Sequence, residues 1–265
     1  MAAIELCPHG ILRFGVGSGD SWDDAAVILQ RSIPYPVGGA VLLGMAPLSA
    51  DGWIIHDEAF SGQMMLRDDL LSRRRDDVFA EAQPDPAAKA EVLEMVLKAV
   101  SARDGYVIKA DHVVRPDQVA VALNGDPMVA AAHLIQEDLL LHEHRNGEWT
   151  LTAGVLCFPA SWTLAEKIGQ GLTRIHKPVP EYDGNITKRV ARLFDGIQPD
   201  RPMWRHNVLT YADPSLHHPR TEASPRDGDH DGQFKRSEHQ ALVRLPTSNA
   251  VLFAIHTYVV RSTAE

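Results

Sequence analysis

The sequence predicts an α+β domain built on a largely antiparallel sheet. Two hairpin patterns occur, around Asn146-Gly147 and around Pro246 to Asn249. Two helix starts share one signal, Asp85-Pro86 and Asp126-Pro127. Between them, helical and strand periodicities alternate without the strand–helix–strand rhythm of a parallel sheet. No linker separates two cores, so residues 1–265 are expected to form one domain.

Residues 1–36 are Gly-rich and aperiodic, and an irregular segment is expected there. Phe14 to Asp20, "FGVGSGD", approaches a dinucleotide loop, but the third glycine of that pattern is replaced by Asp20, and no strand–loop–helix context surrounds it. Trp53 to Phe60 reads as a strand. Leu66 to Ala82 reads as a charged helix with its charges on a solvated face. At Asp85-Pro86 the aspartate accepts an orphan N–H and the proline lacks one. A helix to about Ala102 follows, with Val92, Met95, Val96 and Val100 on one face. Tyr106 and Gln118 lie in short strand-like runs, and Asp126-Pro127 opens a helix through Asp138. Asn146-Gly147 supplies the positive φ values of a tight hairpin, after which Trp149, Leu151, Ala153 and Val155 alternate. The second hairpin places Val251, Phe253 and Ile255 on one face. A helix near Asn185 to Ile197 carries Ile186, Val190, Leu193, Phe194 and Ile197 as its apolar stripe. Residues 213–235 are polar and aperiodic, a long loop of the kind that is functional or disordered.

The chain is 45% hydrophobic and has a formal net charge of −9. That balance argues against broad nucleic-acid binding, which needs a cationic surface. No run of about 18 apolar residues exists, so no membrane span is expected. Met1 to Gly10 shows no secretory signal, and two cysteines make no disulfide framework. A reducing cytoplasm is therefore the expected compartment.

Leu156 to Tyr182 is the densest stretch. Thr163 to Glu166 reads as a capping box, and Leu164, Ile168 and Leu172 recur four apart with His176 next in the series. Pro178 disfavours helix at Lys177, so the helix is expected to end at about His176. A histidine so placed is either a hydrogen-bonded core residue or a ligand, and the spacing leaves both open.

Other residues narrow the choice. Ile135 to Leu141 precedes the stretch, and Arg205-His206-Asn207, Arg236 to Pro246 and Phe253 to Tyr258 follow it. In this order the chain, from about Trp53 to Val260, resembles the haem-dependent oxidative N-demethylase alpha-subunit family. The resemblance implies a PAS-like domain holding haem b. It implies O2 as co-substrate and a small secondary amine as substrate, demethylated with release of formaldehyde. Electrons would come from a separate reductase carrying flavin and iron–sulfur groups, so NADPH, FMN and iron–sulfur belong to that partner. His176 matches the family histidine and is expected as the axial ligand to iron. Glu238 matches the family glutamate, where a carboxylate would hold a protonated amine or move protons. Its alternative is a salt bridge with Arg236 or Arg244. Lys167, Arg205, Arg236 and Arg244 are the cations expected to meet haem propionates.

The chain departs from the family pattern at His239 (usually arginine), Ala241 (threonine), His256 (arginine) and Val208 (tryptophan). These positions are expected near the pocket, and His206, His239 and His256 are rival ligands. Cys157 reads as a buried small side chain rather than a thiolate ligand. Two other functions stay in view. One is a non-catalytic haem sensor. The other is a calcium-binding domain, because Asp227 to Glu238 has the spacing of an EF-hand loop.

Overall fold

The computed structural model describes residues 4–6, 12–14, 27–36, 44–175, 184–224 and 232–262. Its centre is a seven-stranded antiparallel sheet. In spatial order the strands are β3 (Ala46–Pro47), β10 (Met203–Tyr211), β11 (Phe234–Arg244), β12 (Val251–Arg261), β8 (Asp138–Arg145), β9 (Glu148–Val155) and β4 (Phe79–Glu81). A second sheet joins β5 (Val107–Ile108), β6 (His112–Val114) and β7 (Ala120–Ala122). The helices are α1 (Phe60–Arg73), α2 (Arg75–Val78), α3 (Pro86–Ser101), α4 (Pro127–Ala132), α5 (Leu172–Ile175) and α6 (Gly184–Gly196). The α+β class and the antiparallel sheet match the expectation.

Local chemistry explains the elements that were legible. Asp85 caps α3 through Ala87 N, and Asp126 caps α4 through Met128 N and Val129 N. Asn146 and Gly147 turn the β8–β9 hairpin at φ 51° and 84°. Glu91 on α3 accepts from Thr247 N and Ser248 N at 2.6 and 2.8 Å, anchoring the β11–β12 turn.

The rear face of the sheet carries Leu139, Leu141, Ala241, Val243, Leu252 and Ala254, packed with α1, α3 and α4 in the main core. The front face carries Leu140, Leu151 and Ile255 on one side and Leu242 and Val251 on the other. The long β9–β10 connection covers the front, with Leu172 of α5 and Phe194 of α6 in its core.

Five expectations are corrected. The helix expected from Asp126-Pro127 through Asp138 stops at Ala132, and Asp138 opens β8. Residues 4–6 and 12–14 (β1 and β2) form an antiparallel pair inside the segment expected to be irregular. Trp53 to Phe60 is not a strand. Its backbone is satisfied by side chains, Ile55 N by Glu137 Oε1 and Asp57 N by Gln136 Oε1, and Phe60 opens α1. The charged helix breaks at Arg74, and Arg67 is not solvated: it is fully buried 2.9 Å from Asp138 and donates to Gln136 O. The helix expected from Thr163 to His176 is interrupted. Gly169 takes φ 74°, and Gly171 bridges Thr150 beside β9, so among the described residues of this stretch Leu172–Ile175 alone is α-helical. A Cβ at Gly171 would stand 2.1 Å from Glu148 Oε2, which explains the glycine at that close approach.

Candidate functional site

Strand register assembles a polar relay on the front face. Asn207 stands opposite Glu238, and Arg205 opposite Gln240. Side chains directly opposite one another share a face. Asn207 Nδ2 and Gln240 Nε2 both donate to Glu238 Oε2 at 2.8 Å. Glu238 N donates to Asn207 Oδ1 at 2.9 Å, and Arg205 Nε donates to Gln240 Oε1 at 2.8 Å. Two amides thus orient one carboxylate oxygen, and none of these bonds reaches Oε1. Glu238 is only 5% exposed. On its other flank, β12 puts Thr257 opposite Glu238, and Thr257 Oγ1 is buried with no hydrogen-bond partner among the described residues.

Beside the relay lies an apolar wall. Leu140, Leu151, Leu156, Leu164 and Ile255 form it, with Trp162, Ile168, Ile175 and Phe253 against them. Leu164 and Ile168 therefore face this wall, whereas Leu172 packs with Trp149 and Phe194. Ile175 is the last described residue of this segment. His176 lies outside the described residues.

A family model described as haem-dependent oxidative N-demethylase, alpha subunit-like, matches residues 44–264. The chain belongs to that family. Haem is thus the cofactor that the family implies, and the wall on the front face is covered by protein in this structure, none of its five members being more than 3% exposed. A porphyrin presents apolar faces and brings its own four nitrogens, so a single protein ligand beside an apolar wall suffices. No group of three or more His, Cys, Asp or Glu side chains among the described residues is arranged to hold a bare metal ion. The donor set beside the wall is one oriented carboxylate, two amides and a guanidinium, suited to ordering a polar substrate.

The structure distributes the demethylase-like chain's other expected residues unevenly. Lys167 Nζ donates to Ile175 O and pairs with Glu222, both at 2.8 Å. Arg236 is buried and donates to the carbonyls of Phe158, Ser215 and Leu216. Arg244 donates to Ile197 O, Asn249 O and Phe194 O, holding the end of α6. These three cations are engaged by protein groups. Among the described residues neither Arg236 nor Arg244 is hydrogen-bonded to Glu238, so the salt bridge weighed for that glutamate is replaced by amide contacts. Thr163 Oγ1 donates to Glu166 Oε2 at 2.8 Å, and Glu166 accepts from Glu222 N instead of completing a capping box. Asp227 to Asp231 lie outside the described residues. Glu238 is a mid-strand residue of β11, where an EF-hand would continue as a helix.

The departures from the family pattern sit on the rear face. Val208 stands opposite Ser237, His239 opposite both His206 and His256, and Ala241 opposite Ala254. Strand alternation separates all of them from Glu238 and Gln240, so they do not border the relay. The rival ligands are placed accordingly. His239 stacks on Trp204 with ring centroids 4.5 Å apart, and burial lowers its pKa to about 4. His206 packs against Tyr35 at 4.5 Å. His256 has both nitrogens engaged, Nδ1 with Glu137 Oε1 at 3.1 Å and Nε2 with Asp57 Oδ2 at 3.0 Å. An imidazolium has no lone pair for iron.

This rear network was missed at the sequence level. It also draws in Gln136, whose Nε2 donates to Asp57 Oδ1 and Gln63 Oε1, and Gln30, which donates to Asp57 Oδ2 and Thr257 O. The available signal was Gln136-Glu137-Asp138, three polar residues at an otherwise apolar strand entrance.

Proposed function

We propose that the chain is the haem-carrying component of an O2-using oxidative N-demethylase acting on a small amine, with electrons delivered by a separate flavin and iron–sulfur reductase. The observation that carries the proposal is the oriented carboxylate of Glu238, buried on the sheet face that also carries the apolar wall. The five long strands run β9-β8-β12-β11-β10. Numbered among themselves, that is the order 2-1-5-4-3, which supports a PAS-like sheet carrying its ligand under the connection between its second and third strands. In this reading His176 would hold the haem iron, and Arg205 would meet a propionate.

When bound, haem supplies the oxidation of the N-methyl carbon, using O2 and two electrons. The balance is a methylamine plus O2, two electrons and two protons giving the demethylated amine, formaldehyde and water. The chain binds and orients. Glu238 Oε1 takes the ammonium N–H of the substrate, and the two amides on Oε2 stop the carboxylate from rotating. The apolar wall excludes water and so strengthens that charge-assisted bond.

Titration of the purified chain with haemin should give a Soret band that saturates at one equivalent. Methylamine-dependent formaldehyde release with a surrogate electron donor should follow. Haem uptake without amine turnover would instead favour a sensor, and no uptake would reject the haem reading. With haem bound, Glu238→Gln should lower kcat/KM for the amine about 100-fold, the low end for loss of a positioned acid–base group. Its Soret band should be unchanged.

A further inference from the structure

One row of the central sheet runs Asn207 on β10, Glu238 on β11 and Thr257 on β12, each directly opposite the next. The neighbouring row on the same face runs Arg205, Gln240 and Ile255. Asn207 and Gln240 both hold Glu238 Oε2, so the carboxylate is gripped from β10 and along β11 itself. Thr257 flanks it from β12. Side chains paired in this way have Cβ atoms about 5 Å apart. Yet Thr257 Oγ1 is bonded to neither oxygen of Glu238, nor to any other group among the described residues.

Thr257 is fully buried. A buried hydroxyl without a partner costs stability, and protein interiors pair nearly all of them. Valine has the same shape without that cost, and the same strand carries it at Val259 and Val260. The hydroxyl is also held still. Branching at Cβ makes threonine stiff at χ1. Its carbonyl receives Gln30 Nε2 at 3.1 Å and Gln63 Nε2 at 3.0 Å, so two glutamines of the rear network pin the backbone behind it. A fixed hydroxyl next to a fixed carboxylate is the arrangement of a two-point site.

The two points select the guest. A carboxylate oxygen only accepts, and a hydroxyl oxygen accepts as well. Two neighbouring acceptors suit a cation with two N–H groups on one nitrogen. A secondary ammonium has two, and a tertiary ammonium has one. Ile255, two positions before Thr257 on β12, belongs to the apolar wall and gives methyl groups a surface to lie against. That wall is covered by protein, so the pair suits a guest of few heavy atoms.

We infer that Thr257 is a specificity-determining residue of the amine site: its Oγ1 accepts the second N–H of a secondary ammonium whose first N–H is taken by Glu238, and the pair thereby discriminates against tertiary amines. This rests on the reading of Glu238 given above, and adds to it a residue that counts N–H groups.

The test is calorimetric titration of the haem-loaded chain with dimethylammonium and trimethylammonium chloride, alongside urea unfolding of the same variants. The wild-type chain should bind dimethylammonium about tenfold more tightly, the worth of one hydrogen bond to a charged group. Thr257→Val removes the hydroxyl and keeps the shape. It should bring the preference to about one and leave the unfolding midpoint unchanged or raised. Thr257→Ser, which keeps the hydroxyl, should keep the preference. Glu238→Gln should weaken both amines. An unchanged preference in Thr257→Val, with both amines weakened in Glu238→Gln, would overturn this inference and leave the reading of Glu238 standing. A lowered unfolding midpoint in Thr257→Val would also overturn it, because the hydroxyl would then serve the fold. Amine binding that survives Glu238→Gln, or that is absent from the wild-type chain, would overturn both.

Discussion

His176→Ala is expected to lose the native haem complex. Removing an outer partner alone costs up to about 100-fold in metal affinity, so removing the ligand itself should cost at least that. The readout is the Soret band after haemin titration and gel filtration: retained by the wild-type chain, absent or shifted to a non-histidine form in the variant. Added imidazole should restore a ligated spectrum in part, because it returns the missing nitrogen without the chain that aimed it. The rear-face histidines should not substitute. His256 is doubly hydrogen-bonded, and His206 and His239 lie across the sheet from the wall. A wild-type spectrum in His176→Ala would refute the assignment.

The second large effect concerns stability. His256 is fully buried between Asp57 and Glu137. Burial opposes its charge, but the hydrogen bonds and charges of the two carboxylates outweigh burial and raise its pKa to about 9. Burial likewise opposes the charge of Asp57, and its bonds to His256, Gln136 and Gln30 win, holding it at about 2. The two shifts describe one interaction and count once. A raised histidine pKa means that the stabilisation is complete below the unfolded value of 6.5 and is lost as pH climbs through 9. The loss should be about 3 kcal/mol across that range, from about 1.4 kcal/mol per unit. The Asp57 side is lost only as pH falls from 3.8 toward 2. Urea unfolding should therefore give a decline from pH 6.5 toward pH 9, while below 6.5 the burial that holds His239 neutral down to about pH 4 takes stability away as the pH falls. His256→Ala strands two buried carboxylates and should cost about 3–5 kcal/mol at pH 6. An arginine there would keep its charge at pH 9 and flatten the alkaline decline. A wild-type stability independent of pH between 6.5 and 9 would contradict the ion triad. The departure at His256 is thus conservative in charge, although the residue type changes.

What could be read from the sequence was what neighbouring residues decide. Asp85-Pro86, Asp126-Pro127 and Asn146-Gly147 act within a turn of chain, and each produced its element. Alternation along β11 puts Glu238 and Gln240 on one face, which the strand period alone dictates. What could not be read was anything whose partner is distant in sequence. Asp57 meets His256 across 199 positions, and Glu222 meets Lys167 across 55. The misread helix is instructive in another way. Leu164, Ile168 and Leu172 do carry helical spacing, but Gly169 and Gly171 let the chain leave the helix and lie beside β9, so the spacing divides between two clusters. Arg67 shows the same failure for charge: a run of arginines and aspartates looks solvated until Asp138 arrives from another element.

Cys157 follows Leu156 of the apolar wall and is fully buried. Burial pushes its thiol up to about 12. At neutral pH only about one molecule in 10⁵ would carry the thiolate. Formaldehyde adds to thiolates and amines, and partly reduced oxygen attacks thiolates, but a sulfur kept protonated in the rear core offers neither of them a thiolate. The cysteine at this position is instead protected by protonation, and alkylating reagents should leave it unlabelled until the chain unfolds.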